Sequence, residues 1–199
     1  MTEIDAQQEL AFIKKVMADS RQIMIDDGKG FIFWGILVAS GLFFTYLANA
    51  GRWNFSLGWF WLALISIGWI VTFIIEIRAE KKRLTKTFAG KIMGALWIGC
   101  GVAMTILGFI GSITNAYDGI FINPIIAVVL GIGYLVSGVL QGKSWVSMLS
   151  IGWWAGAILM FYLHNLETLL IMVGMMILFQ TIPGIIIYRE SKKELAVVE

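Results

Sequence analysis

The chain has 199 residues, of which 59% are apolar and 14% charged, against about 25% charged in ordinary soluble domains. A soluble domain of this size cannot hide so much apolar surface, and a formal charge of +2 is too small for a nucleic-acid binder. One Cys and one His exclude an intrachain disulfide and a zinc or haem site built from several such ligands.

In chain order, residues 1–29 read as a cytoplasmic amphipathic helix. Leu10, Ile13, Met17 and Met24 recur at helical spacing, with Glu9, Lys14, Lys15, Asp19 and Arg21 on other faces. Its charges are of both signs, which argues against simple attraction to anionic lipid. The stripe of Leu10, Ile13, Met17 and Met24 is therefore the candidate partner-binding face, toward its own bundle, a second copy or another membrane protein. Asp26, Asp27 and Gly28 end this helix.

Residues 30–190 form the membrane domain. Crossing a ~30 Å hydrocarbon layer takes about 20 apolar residues, and six stretches qualify: Phe31–Ala50, Leu57–Ile77, Ile92–Ile113, Ile120–Leu140, Trp145–Leu163 and Thr168–Tyr188. The runs are continuous rather than alternating, so they are helices and not barrel strands. None carries an ionised residue near its middle. The outer loops are short, which joins the spans as three αα-hairpins.

Between spans two and three, a basic segment around residues 78–91 carries the second helix past the membrane. Span three holds Gly94, Gly101 and Gly108 at seven-residue steps; Gly138 follows in span four, and Gly152 and Gly156 in span five. Such spacing makes smooth faces where helices approach closely, so these six glycines are expected to pack helices. Cys100 reads as a small packing residue, and Asn123-Pro124 as an ordinary first helical turn. His164, with Glu167 nearby, reads as a solvated turn. In span six, Gln180 and Thr181 precede Pro183-Gly184; Pro bends the helix, making Gln180 and Thr181 candidate cavity-lining residues. Residues 191–199 form a cytoplasmic tail.

Every basic residue except Arg52 falls on one side of six spans, which places both termini in the cytoplasm. The first span, with no small-residue cleavage site after it, is expected to be a retained anchor in the inner membrane. Tyr46, Trp53, Trp59, Tyr117 and Tyr162 fall near the outer boundary, and Trp34, Trp97, Trp145 and Tyr188 near the inner one, as an aromatic belt. Trp69, Trp153 and Trp154 lie deeper.

The chain is thus expected to be all-α, a polytopic six-helix bundle with an N-terminal amphipathic helix. Ion-coupled transporters place ionisable groups in the membrane, and intramembrane hydrolases need a nucleophile with a base or metal. No span supplies these, so neither enzymatic activity nor a cofactor is expected, and the expected partners are membrane lipids, a second copy or another membrane protein. The leading functional expectation is a non-enzymatic scaffold or regulatory protein acting through helix association. The alternative is a passive channel or carrier for a small neutral solute.

The N-terminal helix ending at Gly28, the Phe31-Ile32-Phe33-Trp34-Gly35 opening of span one, the basic loop after span two and the Pro183-Gly184 bend resemble a family of uncharacterised six-span inner-membrane proteins from Bacteroidetes-type bacteria, similar in length to this chain. The resemblance implies the architecture and a stress or envelope role, and it implies no activity.

Overall fold

The computed structural model describes residues 28–82 and 88–198; the Leu10, Ile13, Met17 and Met24 stripe lies outside the described residues. Every regular element among those described is helical, and six helices are long and apolar enough to cross a membrane. This is an all-α, multi-pass membrane protein. Helix α1 spans Lys29–Asn49 and α2 spans Leu57–Lys82. Helix α3 runs through Phe88–Thr105, a π segment at Ile106–Ile110 and a final turn at Gly111–Ile113. Helix α4 spans Ile122–Gln141 after a 3₁₀ turn at Gly119–Phe121, and α5 spans Ser144–Leu163. Helix α6 comprises Thr168–Met175, a π segment at Met176–Thr181 and Ile182–Val198.

The helix ends follow local backbone chemistry. Helices α1, α3 and α4 stop where Gly51, Asn115 and Gly142 take positive φ. The next amide then reaches back across the turn: Arg52 to the Leu47 carbonyl, Ala116 to Gly111 and Lys143 to Gly138, at 2.9–3.0 Å. These are Schellman closures, which satisfy carbonyls that would otherwise be orphaned. Helix α5 ends on His164, also left-handed at φ 41°.

Each expected hairpin pair is in contact, and the core adds pairings between hairpins. The most extensive contact is between α4 and α5, across the turn at Gly142 and Lys143, and α1 packs mainly along α6. Small residues decide this. On α4, the ring of Trp154 lies over Gly131 and the backbone of Ser147 over Gly138. On α5, Phe179 lies over Gly152 and Met175 over Gly156. Helices α1, α4, α5 and α6 supply the buried cluster that includes Leu42, Tyr134, Trp153, Met160, Met172, Met176 and Ile187. Helices α2 and α3 are peripheral: 6% of each span is buried, against 28–44% for the other four.

One end of the bundle is tied together electrostatically. Lys143, 9% exposed, bonds Glu190 at 2.5 Å, joining the α4–α5 turn to α6. The ammonium groups of Lys29 and Lys192 lie 5.7 and 5.3 Å from the Tyr188 ring, within cation–π range. Gly28, at φ 56°, sits against the Gly184 carbonyl and the Tyr188 amide, a contact that only a residue without Cβ tolerates.

Candidate functional site

At the centre of the bundle is a chain of aromatic rings drawn from five helices. Phe31 of α1 meets Trp97 of α3 edge-on at 5.3 Å and Tyr134 of α4 at 5.4 Å. Tyr134 stacks on Trp153 of α5 at 5.9 Å, and Trp153 meets Phe179 of α6 at 6.0 Å. Tyr134 and Trp153 are fully buried. Among the described residues, three buried side-chain polar atoms have no hydrogen-bond partner: Tyr134 Oη, Trp153 Nε1 and Gln180 Oε1. They come one each from α4, α5 and α6.

The π segment of α6 is what presents Gln180. Pro183 lacks an N–H and cannot donate to the carbonyl four residues earlier. The turn before it widens, and the Ile182 amide donates to the Ile177 carbonyl instead. Gln180 is 4% exposed and Thr181 is 9% exposed. Of these two candidate cavity residues, Thr181 is satisfied locally, its hydroxyl donating to the Met176 carbonyl at 3.1 Å, and it abuts Gly35 of α1. Gln180 keeps its carbonyl oxygen unpaired.

The six glycines divide into two groups. Gly138, Gly152 and Gly156 lie at helix contacts, and Gly101 lies under Trp69 of α2. At Gly94 and Gly108 a side chain would meet nothing among the described residues, and the same holds at Gly99. Together with exposed Ile98 and Val102, Gly94 and Gly99 give α3 an open face of small and aliphatic residues.

A recurring device lies in the tryptophans. Trp34 of α1 lies over Gly68 of α2 and donates to Thr72 at 2.9 Å. Trp61 of α2 lies over Gly41 of α1 and donates to Thr45 at 3.0 Å. Trp97 of α3 lies over Gly133 of α4 and donates to Ser137 at 3.0 Å. Each receiver is Gly followed four residues later by Ser or Thr, so the indole finds a flat seat and an acceptor one turn away. Trp34 and Trp97, expected at the inner aromatic belt, are therefore interhelical clasps. The Gly-x-x-x-Ser/Thr spacing was the available signal for them.

At the α3–α4 connection, the Tyr117 hydroxyl donates to the Leu107 carbonyl within the α3 π segment, and its ring covers Gly111. His164 is exposed, its imidazole edge-on to Phe121 at 5.2 Å. No group of three or more His, Cys, Asp or Glu among the described residues is placed to hold a metal ion. No protein-family model matches the chain, and no curated protein or solved structure is detectably similar to it.

Proposed function

We propose that this is a non-enzymatic scaffold or regulatory protein of the bacterial inner membrane, with both termini cytoplasmic, that acts by helix association with a second copy. The observation that carries the reading is the open face of α3. Gly35, Gly131, Gly138, Gly152 and Gly156 each receive a neighbour; Gly94 and Gly99 are open, as single glycines on other helices are (Gly58 on α2, Gly174 on α6), but on α3 they share one exposed face with Ile98 and Val102. Without a hydrophobic drive between helices in lipid, association depends on close backbone approach at small residues, and this face offers it. The orientation rests on charge: Lys29, Lys143, Arg189, Lys192 and Lys193 share one end of the bundle, and Arg52 lies at the other.

The passive-path alternative is less well supported. The bundle centre is filled by Tyr134, Trp153, Met160, Met172 and Met176, each at most 2% exposed, and this leaves the interior apolar.

The test is cysteine crosslinking in native membranes, with Cys100→Ser as background. Gly99→Cys should give a disulfide-linked dimer, while a cysteine at Gly152, under Phe179, should not. Gly94→Leu should weaken the dimer about tenfold in lipid, equivalent to losing about 1.4 kcal/mol. A chain that stays monomeric in lipid at every cysteine position on α3 overturns the reading.

A further inference from the structure

Two helices bring cations to one aromatic ring. The Lys29 ammonium, from the first residue of α1, and the Lys192 ammonium, from α6, lie 5.7 and 5.3 Å from the centre of the Tyr188 ring. The ring attracts each of them, but two like charges so placed repel, and an anion shared between them relieves that cost. Arg189, next to Tyr188 on α6, is exposed. Glu190, the acid in this stretch, already bonds Lys143. Lys29, Arg189 and Lys192 thus supply two ammonium groups and a guanidinium, the donors that bind a phosphate.

The surface beneath the cations decides the kind of phosphate. Leu178, Ile182, Ile185, Arg189 and Lys192 follow one another along α6 at steps of four and three residues, which sets them in one row on the helix. The lower part of the row is aliphatic and open: Leu178 is 56% and Ile182 41% exposed, and Ile185 is half-buried. A free phosphate makes no use of such a row, whereas an acyl chain does. Depth agrees, since Lys29 opens the membrane-crossing part of α1 and Lys192 lies at the end of that of α6, where headgroups meet basic side chains. We propose that α1 and α6 bind one anionic phospholipid. Its phosphate lies against Lys29, Arg189 and Lys192, the ring of Tyr188 holds the two ammonium groups in place, and one acyl chain follows Leu178, Ile182 and Ile185. The site is separate from the open face of α3, and a monomer contains it.

The test is native mass spectrometry of the full chain, titrated in detergent with phosphatidylglycerol or with phosphatidylcholine of the same acyl chains. One phosphatidylglycerol should bind in preference to phosphatidylcholine. Arg189→Gln and Lys192→Gln should each weaken it about fivefold, and the two together about thirtyfold. Both side chains are exposed, so the lipid-free melting temperatures of these variants should match the parent's. Tyr188→Phe keeps the ring and should bind as the parent does, whereas Tyr188→Leu should bind as weakly as Lys192→Gln. Lys91→Gln removes an exposed cation of α3 and should change nothing. Glycerol 3-phosphate, which carries the phosphate without the chains, should not displace the lipid even in large excess. Equal binding of the two lipids, or an equal loss in Lys91→Gln, overturns the proposal by showing general attraction to basic residues. Displacement by glycerol 3-phosphate also overturns it, because the site then reads the phosphate alone.

Discussion

Single residues decide which helices meet. Trp34 and Trp61 form a reciprocal pair, each lying on the other helix's glycine and bonding the threonine one turn away. Trp34→Phe and Thr72→Val should each cost about 1 kcal/mol, the usual net value of one hydrogen bond. Their double variant should cost little more than one, measured as denaturation midpoints in detergent. Glycines make the opposite point. A methyl at Gly138 would strike the Ser147 backbone, whereas one at Gly94 meets nothing among the described residues. Gly138→Ala should therefore destabilise by about 1–3 kcal/mol, as overpacking does. Gly94→Ala should be neutral or stabilising by up to about 1 kcal/mol through helix propensity. Both glycines look alike in the sequence, because spacing records a smooth face without recording what covers it. Depth along a span likewise places Trp34 near a boundary, while its bond to Thr72 depends on which helix lies opposite.

At the level of the element, the helices were almost fully legible. Continuous apolar runs indicate all six, with ends within about five residues of the observed ones except at α6, whose helix continues from the expected end at Tyr188 to Val198 through the segment read as a tail; Glu80 to Lys82 extend α2 as the basic segment suggests. Pro183 signalled a bend. The form of the bend is not legible in the sequence: the chain absorbs the missing donor as a π turn over Met176–Thr181 rather than as a simple kink. Pro183→Ala restores the donor and should shorten this turn. Amide exchange across 177–183 should slow about fivefold, the equivalent of one added bond of about 1 kcal/mol, when followed by mass spectrometry in detergent. Contacts that depend on the widened register, Gly35 with Thr181 among them, should loosen in the same variant.

For the whole molecule, hydropathy and charge set the number of spans and the charge asymmetry, and short connections indicate which neighbours in sequence touch, but neither indicates the pairing of α1 with α6. Short loops put α1–α2, α3–α4 and α5–α6 in contact, and the two-residue turn at Gly142 and Lys143 joins the closest pair, α4–α5, but no loop points to the main neighbour of α1, which is α6. Four helices form the core, and α2 and α3 are attached at its edge. Under increasing denaturant, α2 should detach first and the α4–α5 pair last. Cysteine labelling should thus report Gly68→Cys, beneath Trp34, becoming reactive well before Ser150→Cys. Simultaneous exposure of both sites would mean that the periphery and the core open as one unit.

The pairing of α1 with α6 also has a consequence for biosynthesis. Helix α1 leaves the ribosome well before its principal neighbour α6, so everything between Asn49 and Thr168 is made before Gly35 can meet Thr181. At ordinary translation rates that interval is on the order of 10 s. Through it the nascent α1 must be held by lipid, by the insertion machinery or by α2 alone. The clasp of Trp34 and Trp61 is well placed to act as that temporary chaperone within the chain itself.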